Sequence, residues 1–294
     1  MHSLDSVLLL GCSGKIGSRL TKKLSLMGFK VYGIRGKSAC EITSKNHYCI
    51  SLDLLADDFT KFLKESKADL LIHTSWETTP ISYWSNLSNF QWTSRSFLLI
   101  QKFFEFGGEK VFVTGSCAEY SWVSEPKLSE YSLEAPSSSY GESKLNLLRL
   151  IQADGFPHLW TRTFFQFGQD RESQKLIPSV IRATITGNAL TLGNPDHVRD
   201  FIHIDDVVVA LSRLIAGNHN GVVNIGSGTG TSVSEVVNRI EAALGRKALV
   251  TYTDSGGSHS SVVADVSHLI SLLGELPVQP FAESIQCTID EYSN

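Results

Sequence analysis

Short runs of β-branched and aliphatic residues alternate along the first half of the chain with longer stretches whose apolar positions recur every three to four residues. The runs predict strands over Val7–Leu10, Lys30–Ile34, Leu70–His73, Lys110–Thr114 and Leu159–Phe164. The stretches between them predict helices over Ile16–Met27, Leu54–Lys64, Ser88–Phe106 and Tyr140–Ala153, with Gly28 and Gly107-Gly108 as C-terminal stops. Strands alternating with helices imply an α/β fold, a doubly wound parallel sheet covered on both faces. After about residue 165 the alternation loosens. Ile177–Thr186, Asp205–Ala216 and Val233–Leu244 read as helices, the second capped by Asp205-Asp206, and Leu190–Leu192 and Val222–Ile225 as strands. With the Gly/Ser-rich segment Asp254–Ser261, this part reads as a smaller C-terminal lobe.

Composition narrows the class. A length of 294 residues suits one large domain or two coupled lobes. No apolar stretch reaches the roughly 18 residues of a membrane helix, so no membrane partner is expected. The formal charge of -4 leaves no basic surplus for nucleic acid. The five cysteines are scattered without C-x-x-C spacing, which argues against a disulfide framework and a zinc site, and no metal is expected. Met1–Asp5 lacks a positive n-region and Val7–Leu10 is too short for a signal core, so the expected compartment is the cytoplasm. Asn86-Leu87-Ser88 is read as a chance sequon.

The first candidate site is the turn after the first strand, Gly11-Cys12-Ser13-Gly14-Lys15-Ile16-Gly17. Glycines at this spacing permit a tight turn, close approach to a pyrophosphate and packing of helix on strand, with the phosphates at a helix N-terminus. At the end of the second strand an acidic residue would accept from an adenosine ribose, but Arg35 stands there, with Lys37 and Lys15 as further charges. A guanidinium suits a 2′-phosphate, which favours NADP(H), with NAD(H) the alternative. A solvated basic loop is the competing explanation of Arg35. Asp53, followed by Leu54, either accepts from the adenine amino group or caps the next helix.

The second candidate site is Tyr140 and Lys144, four apart and therefore on one helix face. A nearby ammonium stabilises phenolate, as a tyrosine acid/base requires. Ser116, just after a strand, is placed to bond the same substrate oxygen. A surface Tyr-Lys pair and a serine-capped turn are the competing explanations.

Taken together, the glycine turn, Ser116, Tyr140/Lys144, Arg199-Asp200-Phe201-Ile202-His203-Ile204-Asp205-Asp206-Val207 and Asn224-Ile225-Gly226-Ser227-Gly228 resemble the extended short-chain dehydrogenase/reductases, in their sugar-nucleotide epimerase/dehydratase/reductase branch. The resemblance reaches Ile72-His73-Thr74-Ser75, matching the segment beside the nicotinamide ribose, and Val263-Ala264-Asp265. It implies a Rossmann-type domain from 1–165 with about 200–225, binding NAD(P), and a nucleotide-sugar lobe from about 166–199 and 226–294. It further implies Tyr140 as proton donor, Lys144 holding the tyrosine and the ribose, and Ser116 assisting. Thr74 and Ser75 would touch the cofactor, while Cys117, Phe165, Pro178 and Arg199 would touch substrate, Arg199 at the diphosphate. The helices Ser88–Phe106 and Tyr140–Ala153 resemble those of the family's homodimer interface, and Asn224 is expected to be structural.

Departures from the pattern bear on the reaction. The 4,6-dehydratases carry Asp-Glu where this chain has Cys117-Ala118, which disfavours dehydration, and the cysteine of the 3,5-epimerising reductases would fall at Ala118. Phe165 replaces a usual Asn, and Trp76, Tyr83, Trp84 and Trp92 form an aromatic insert suited to a deoxygenated sugar, or to packing or a dimer contact. Glu119 and His203 receive no catalytic role. The expectation is NADPH-dependent reduction of a 4-keto nucleoside-diphosphate sugar, as in deoxysugar biosynthesis. The alternatives are an NAD-dependent 4-epimerase and a non-catalytic dinucleotide-sensing regulator.

Overall fold

A computed structural model describes residues 5–36, 47–78, 82–123, 125–168, 174–253 and 261–293. Its strands are β1 (Ser6–Leu10), β2 (Lys30–Arg35), β3 (His47–Ser51), β4 (Leu70–His73), β5 (Lys110–Ser116), β6 (His158–Thr163), β7 (Phe165–Phe167), β8 (Leu190–Leu192), β9 (Val198–His203), β10 (Gly221–Ile225), β11 (Gly230–Ser232), β12 (Val250–Tyr252) and β13 (Ser261–Val262). Its helices are α1 (Lys15–Leu26), α2 (Thr60–Ser66), α3 (Ser88–Glu105), α4 (Ser139–Ala153), α5 (Leu176–Thr186), α6 (Ile204–Ala216), α7 (Val233–Leu244), α8 (Ser267–Leu273) and α9 (Phe281–Ser293).

Seven strands form one sheet in the order β3-β2-β1-β4-β5-β6-β10, with β3 through β5 parallel. This is the doubly wound plan expected from the alternation. The aliphatic runs of β1 and β4 are buried throughout, as strands covered on both faces must be. The chain winds outward from β1 through β2 and β3, then crosses back to β4. That reversal makes the C-terminal ends of β1 and β4 the place where open α/β sheets take ligands.

The strand periodicity of two also sorts the second and third strands. Tyr32 faces Tyr48 in register and their rings stack 5.5 Å apart, while Gly33 faces Cys49 on the other side of the sheet.

One expected helix is corrected. Leu54–Lys64 does not run as a single helix: Ala56 and Asp57 donate their N–H groups to the Asp53 carbonyl in a turn, and α2 starts at Thr60. Asp58 Oδ1 accepts from the Thr60 N–H at 2.9 Å, so the helix starts beside that carboxylate. The other expected elements are present within a residue or two.

Contacts divide the chain into two compact units. The first comprises 1–119, 134–162 and 208–223, and its core joins Leu8, Leu10, Leu71, Val113, Leu147 and Trp160. The second comprises 120–133, 163–207 and 224–294. Its centre is β9, paired with β11, β13 and β7, while β8 and β12 pair separately. Phe167, Val180, Ile181, Phe201, Val237 and Ile285 form its core. The three-residue β8 is as expected, but the equally short β7, β11, β12 and β13, the six-residue β9, interrupted by Arg199, Asp200 and His203, and the helices α8 and α9 were not anticipated. The segment Asp254–Ser261 lies outside the described residues except for its last position.

Candidate active site

The turn between β1 and α1 is shaped by what its glycines exclude. Gly11 adopts a φ of +84°, a left-handed value that glycine takes without strain. A Cβ at Gly17 would stand 2.0 Å from the Gly11 carbonyl oxygen, so helix and turn meet only because that atom is missing. The Gly11 N–H donates to Ile34 O at 2.8 Å, and Thr74 Oγ1 donates to Leu10 O at 2.7 Å, tying the turn to both neighbouring strands. Gly14 precedes α1 in extended conformation without a side-chain cap. A helix N-terminus opening from a glycine cradle fits a dinucleotide pyrophosphate. Ser13, Lys15 and Ile16 lie on this turn and the start of α1, and Ser75 Oγ lies under Gly11.

Arg35 is the last residue of β2, paired in register with Ser51, and is half-buried. Asp53 takes part in local structure: its Oδ1 accepts from the Leu55 N–H at 3.0 Å, and its own N–H donates to Asp57 Oδ2 at 2.7 Å. Leu54 is buried in the core. Lys37 lies outside the described residues.

Ser116, Tyr140 and Lys144 come together at the end of β5 and the start of α4. Ser138 caps that helix by accepting from the Gly141 N–H at 3.1 Å, which fixes Tyr140 in its first turn. The Ser116 side chain adjoins the Tyr140 phenol and favours its ionised form, an effect smaller than that of burial. Lys144 is 2% exposed and donates to Thr114 O at 2.9 Å. Burial pushes the Lys144 ammonium down to about 7. Burial, and then the neighbouring Tyr83, hold the Tyr140 phenol well above its ordinary value. The lowering expected from the neighbouring ammonium is therefore not seen: burial outweighs it, and at neutral pH the phenol keeps its proton.

Two supports of this site were not identified from sequence. Glu119 receives the Ser116 N–H at 2.7 Å on Oε1, and its Oε2 meets Arg162 Nε at 2.7 Å and Trp160 Nε1 at 3.0 Å, all buried. Arg162 also pairs with Glu134. The pair fixes the turn that presents Ser116, which is why Glu119 sits three residues after it. Asn89, also buried, accepts from Trp76 Nε1 at 2.7 Å and donates to Tyr83 O at 2.7 Å. It thereby fastens the aromatic insert, whose Trp84 carbonyl accepts from the Tyr140 N–H at 3.2 Å. Trp76, Tyr83 and Trp84 all stand edge-on to the Tyr140 ring, with centroids 6.4, 5.1 and 5.7 Å away. The insert is thus a wall around the phenol, and Trp92 stacks behind Trp76.

In the second unit, the Arg199 guanidinium lies 5.5 Å from the Trp122 ring and 5.6 Å from the Phe165 ring. Its neighbour Asp200 is fully buried and accepts from Ser227, Gly228 and Ala264, a clip joining β9 to the loop after β10 and to the segment after β13. Asn224 is structural as expected, accepting from the Tyr120 hydroxyl and donating to Leu128 O. Pro178 is buried on α5. In the first unit, Cys117 follows Ser116 in a buried turn. Among the described residues no helix is long and apolar enough to cross a membrane.

Known proteins share this sequence pattern and fold. The NAD dependent epimerase/dehydratase family profile matches residues 7–226. "Uncharacterized UDP-glucose epimerase YtcB" of Bacillus subtilis is 26% identical over 91% of each chain. The solved structure of MoeE5 in complex with UDP-glucose and NAD is 28% identical, covers 98% of both chains and has a TM-score of 0.85. UDP-N-acetylglucosamine 4-epimerase from Methanobrevibacter ruminantium, solved with UDP-N-acetylmuramic acid, is 25% identical over 99% of both chains with a TM-score of 0.86.

Proposed function

The chain belongs to the NAD-dependent epimerase/dehydratase family of enzymes, and from that premise we propose that it reduces the 4-keto group of a nucleoside-diphosphate deoxysugar with NADPH. The observation that carries this reading is Arg35 at the end of β2, where an NAD-binding sheet would present a carboxylate to the ribose. A guanidinium fork pairs with a 2′-phosphate through charge-assisted bonds and cannot accept a ribose proton.

The residues that would hold the dinucleotide are the turn Gly11–Gly17, Arg35 with Lys37, Asp53 and Leu54, and Thr74 and Ser75, with Tyr140 and Lys144 at the reacting end. When bound, it supplies the hydride to the sugar carbon. The rest of the chemistry belongs to the chain. Tyr140 donates its proton to the alkoxide that develops on the substrate oxygen, a base strong enough to take it from a phenol whose pKa burial has raised. Ser116 orients the phenol and shares that oxygen. Tyr83 and Trp84, which stand edge-on to Tyr140, would give an apolar border to a sugar that carries a methyl group in place of a hydroxymethyl, while Trp76 packs against Lys144 and Trp92. Arg199 would meet the diphosphate, beside Phe165, with Cys117 and Pro178 as further substrate contacts. A dimer contact would use α3 and α4, which pack together and expose Phe90, Leu98 and Leu150.

A second reading has support from the relatives. "Uncharacterized UDP-glucose epimerase YtcB" and the 4-epimerase structure match nearly the whole chain. As a 4-epimerase with retained NAD, the chain would use Tyr140 first as base and then as acid. Calorimetric titration of cofactor-stripped protein separates the readings. Preferential NADPH binding supports the reductase, whereas tightly retained NAD reverses the order and leaves Arg35 a surface charge.

A further inference from the structure

Cys12 lies in the glycine turn after β1, while His47 and Cys49 lie on β3, two residues apart and so on one face of the sheet. Between them runs β2, and the position in register with Cys49 is Gly33. A Cβ there would stand 2.7 Å from Cys12 Sγ and 2.8 Å from His47 Nε2. The missing side chain opens a space over β2 into which the three side chains converge. The two sulfurs are 3.4 Å apart, and the ligand atoms of all three residues lie within 4.8 Å of one another. Cys12 is fully buried, and His47 and Cys49 are half-buried.

We propose that Cys12, His47 and Cys49 form a binding site for a thiophilic d¹⁰ cation of the Zn²⁺ class. Two thiolates and an imidazole are a donor set that selects zinc over magnesium or calcium. Arms of about 2.3 Å to sulfur and about 2.0 Å to nitrogen, set at tetrahedral angles, hold ligand atoms about 3.4–3.8 Å apart. The two sulfurs already stand at that spacing, and the imidazole nitrogen lies within 4.8 Å of both. Binding replaces two thiol protons, which leave to solvent, so that two thiolates balance the dication, and water completes the fourth position. The ion would tie the β1–α1 turn to β3 and does not depend on which sugar the enzyme acts on.

The test uses the full chain, reduced and stripped with a chelator, titrated with Co²⁺ and then with Zn²⁺. The proposal expects one equivalent of Co²⁺ with thiolate charge-transfer absorption and tetrahedral d–d bands, displaced by Zn²⁺, and one zinc per chain by elemental analysis. Cys49→Ser and His47→Ala, at half-buried positions, should each weaken binding at least tenfold. Cys49→Ser should also reduce the charge-transfer band, while Cys287→Ser changes nothing. Circular dichroism confirms that each variant is folded. Absence of the charge-transfer band in the unmodified chain, or unchanged binding in folded Cys49→Ser, overturns the proposal. So does formation of a Cys12–Cys49 disulfide in air by a chain that takes up no metal when reduced.

Discussion

Lys144 Nζ lies 3.9 Å from the centroid of the Trp76 ring. The cation that the site uses is therefore held between an aromatic face and the Thr114 carbonyl, out of water. Both partners favour the ammonium, but burial outweighs them and brings it down to about 7.

That burial makes stability depend on pH. The unfolded lysine keeps its proton to about pH 10.4, while the folded one releases it near 7. Between these values the unfolded chain binds more protons, so the Lys144 contribution to stability rises with pH. Lys144→Met removes the penalty at every pH. Its gain over the unmodified chain in urea unfolding should be largest below pH 7 and should vanish above about pH 10. A gain independent of pH would contradict the buried-ammonium account.

Tyr140→Phe removes the proton and keeps the ring within its aromatic wall. Turnover should fall by about 10²–10⁴-fold, the usual size of a general acid's contribution, with dinucleotide affinity unchanged by calorimetry. Substantial residual turnover would exclude Tyr140 as the donor.

Arg35→Asp replaces the guanidinium by an acceptor for a ribose hydroxyl. The ratio of NADPH to NADH affinity should fall by at least about tenfold, corresponding to the loss of one charge-assisted contact. An unchanged ratio would assign Arg35 to the protein surface.

Arg162→Met leaves the Glu119 carboxylate buried without its cation. Such a break costs about 3–5 kcal/mol, measurable as a lower urea midpoint, and activity should drop because the Ser116 turn loses its anchor. Arg162→Lys should recover part of both. An unaffected midpoint would show that the pair is dispensable.

Much of this site could be read from sequence because its parts are local. The glycine spacing after a strand and the four-residue step from Tyr140 to Lys144 each follow from the geometry of a single turn or helix. The supports could not be read, because they depend on long-range packing. Trp76 reaches Lys144 from a loop after β4, and Glu119 finds Arg162 across two strands. Asn89 owes its role to a loop folded back on α3. The same limit applies to Cys12, His47 and Cys49, since His-x-Cys on a strand has no C-x-x-C signature. In the second unit, β9 is built from partners too short to show a period, and Asp200 is identified as a clip only once its four donors are in place.

The most direct measurement is the fate of deuterium from C4-deuterated NADPH given in stoichiometric amount with a 4-keto-6-deoxy nucleoside-diphosphate sugar. The reductase account predicts one deuterium on sugar carbon 4, one equivalent of NADP⁺ and a single product stereoisomer. Conversion between 4-epimers of a saturated nucleotide sugar with no net consumption of dinucleotide, together with no transfer to the 4-ketone, would contradict it.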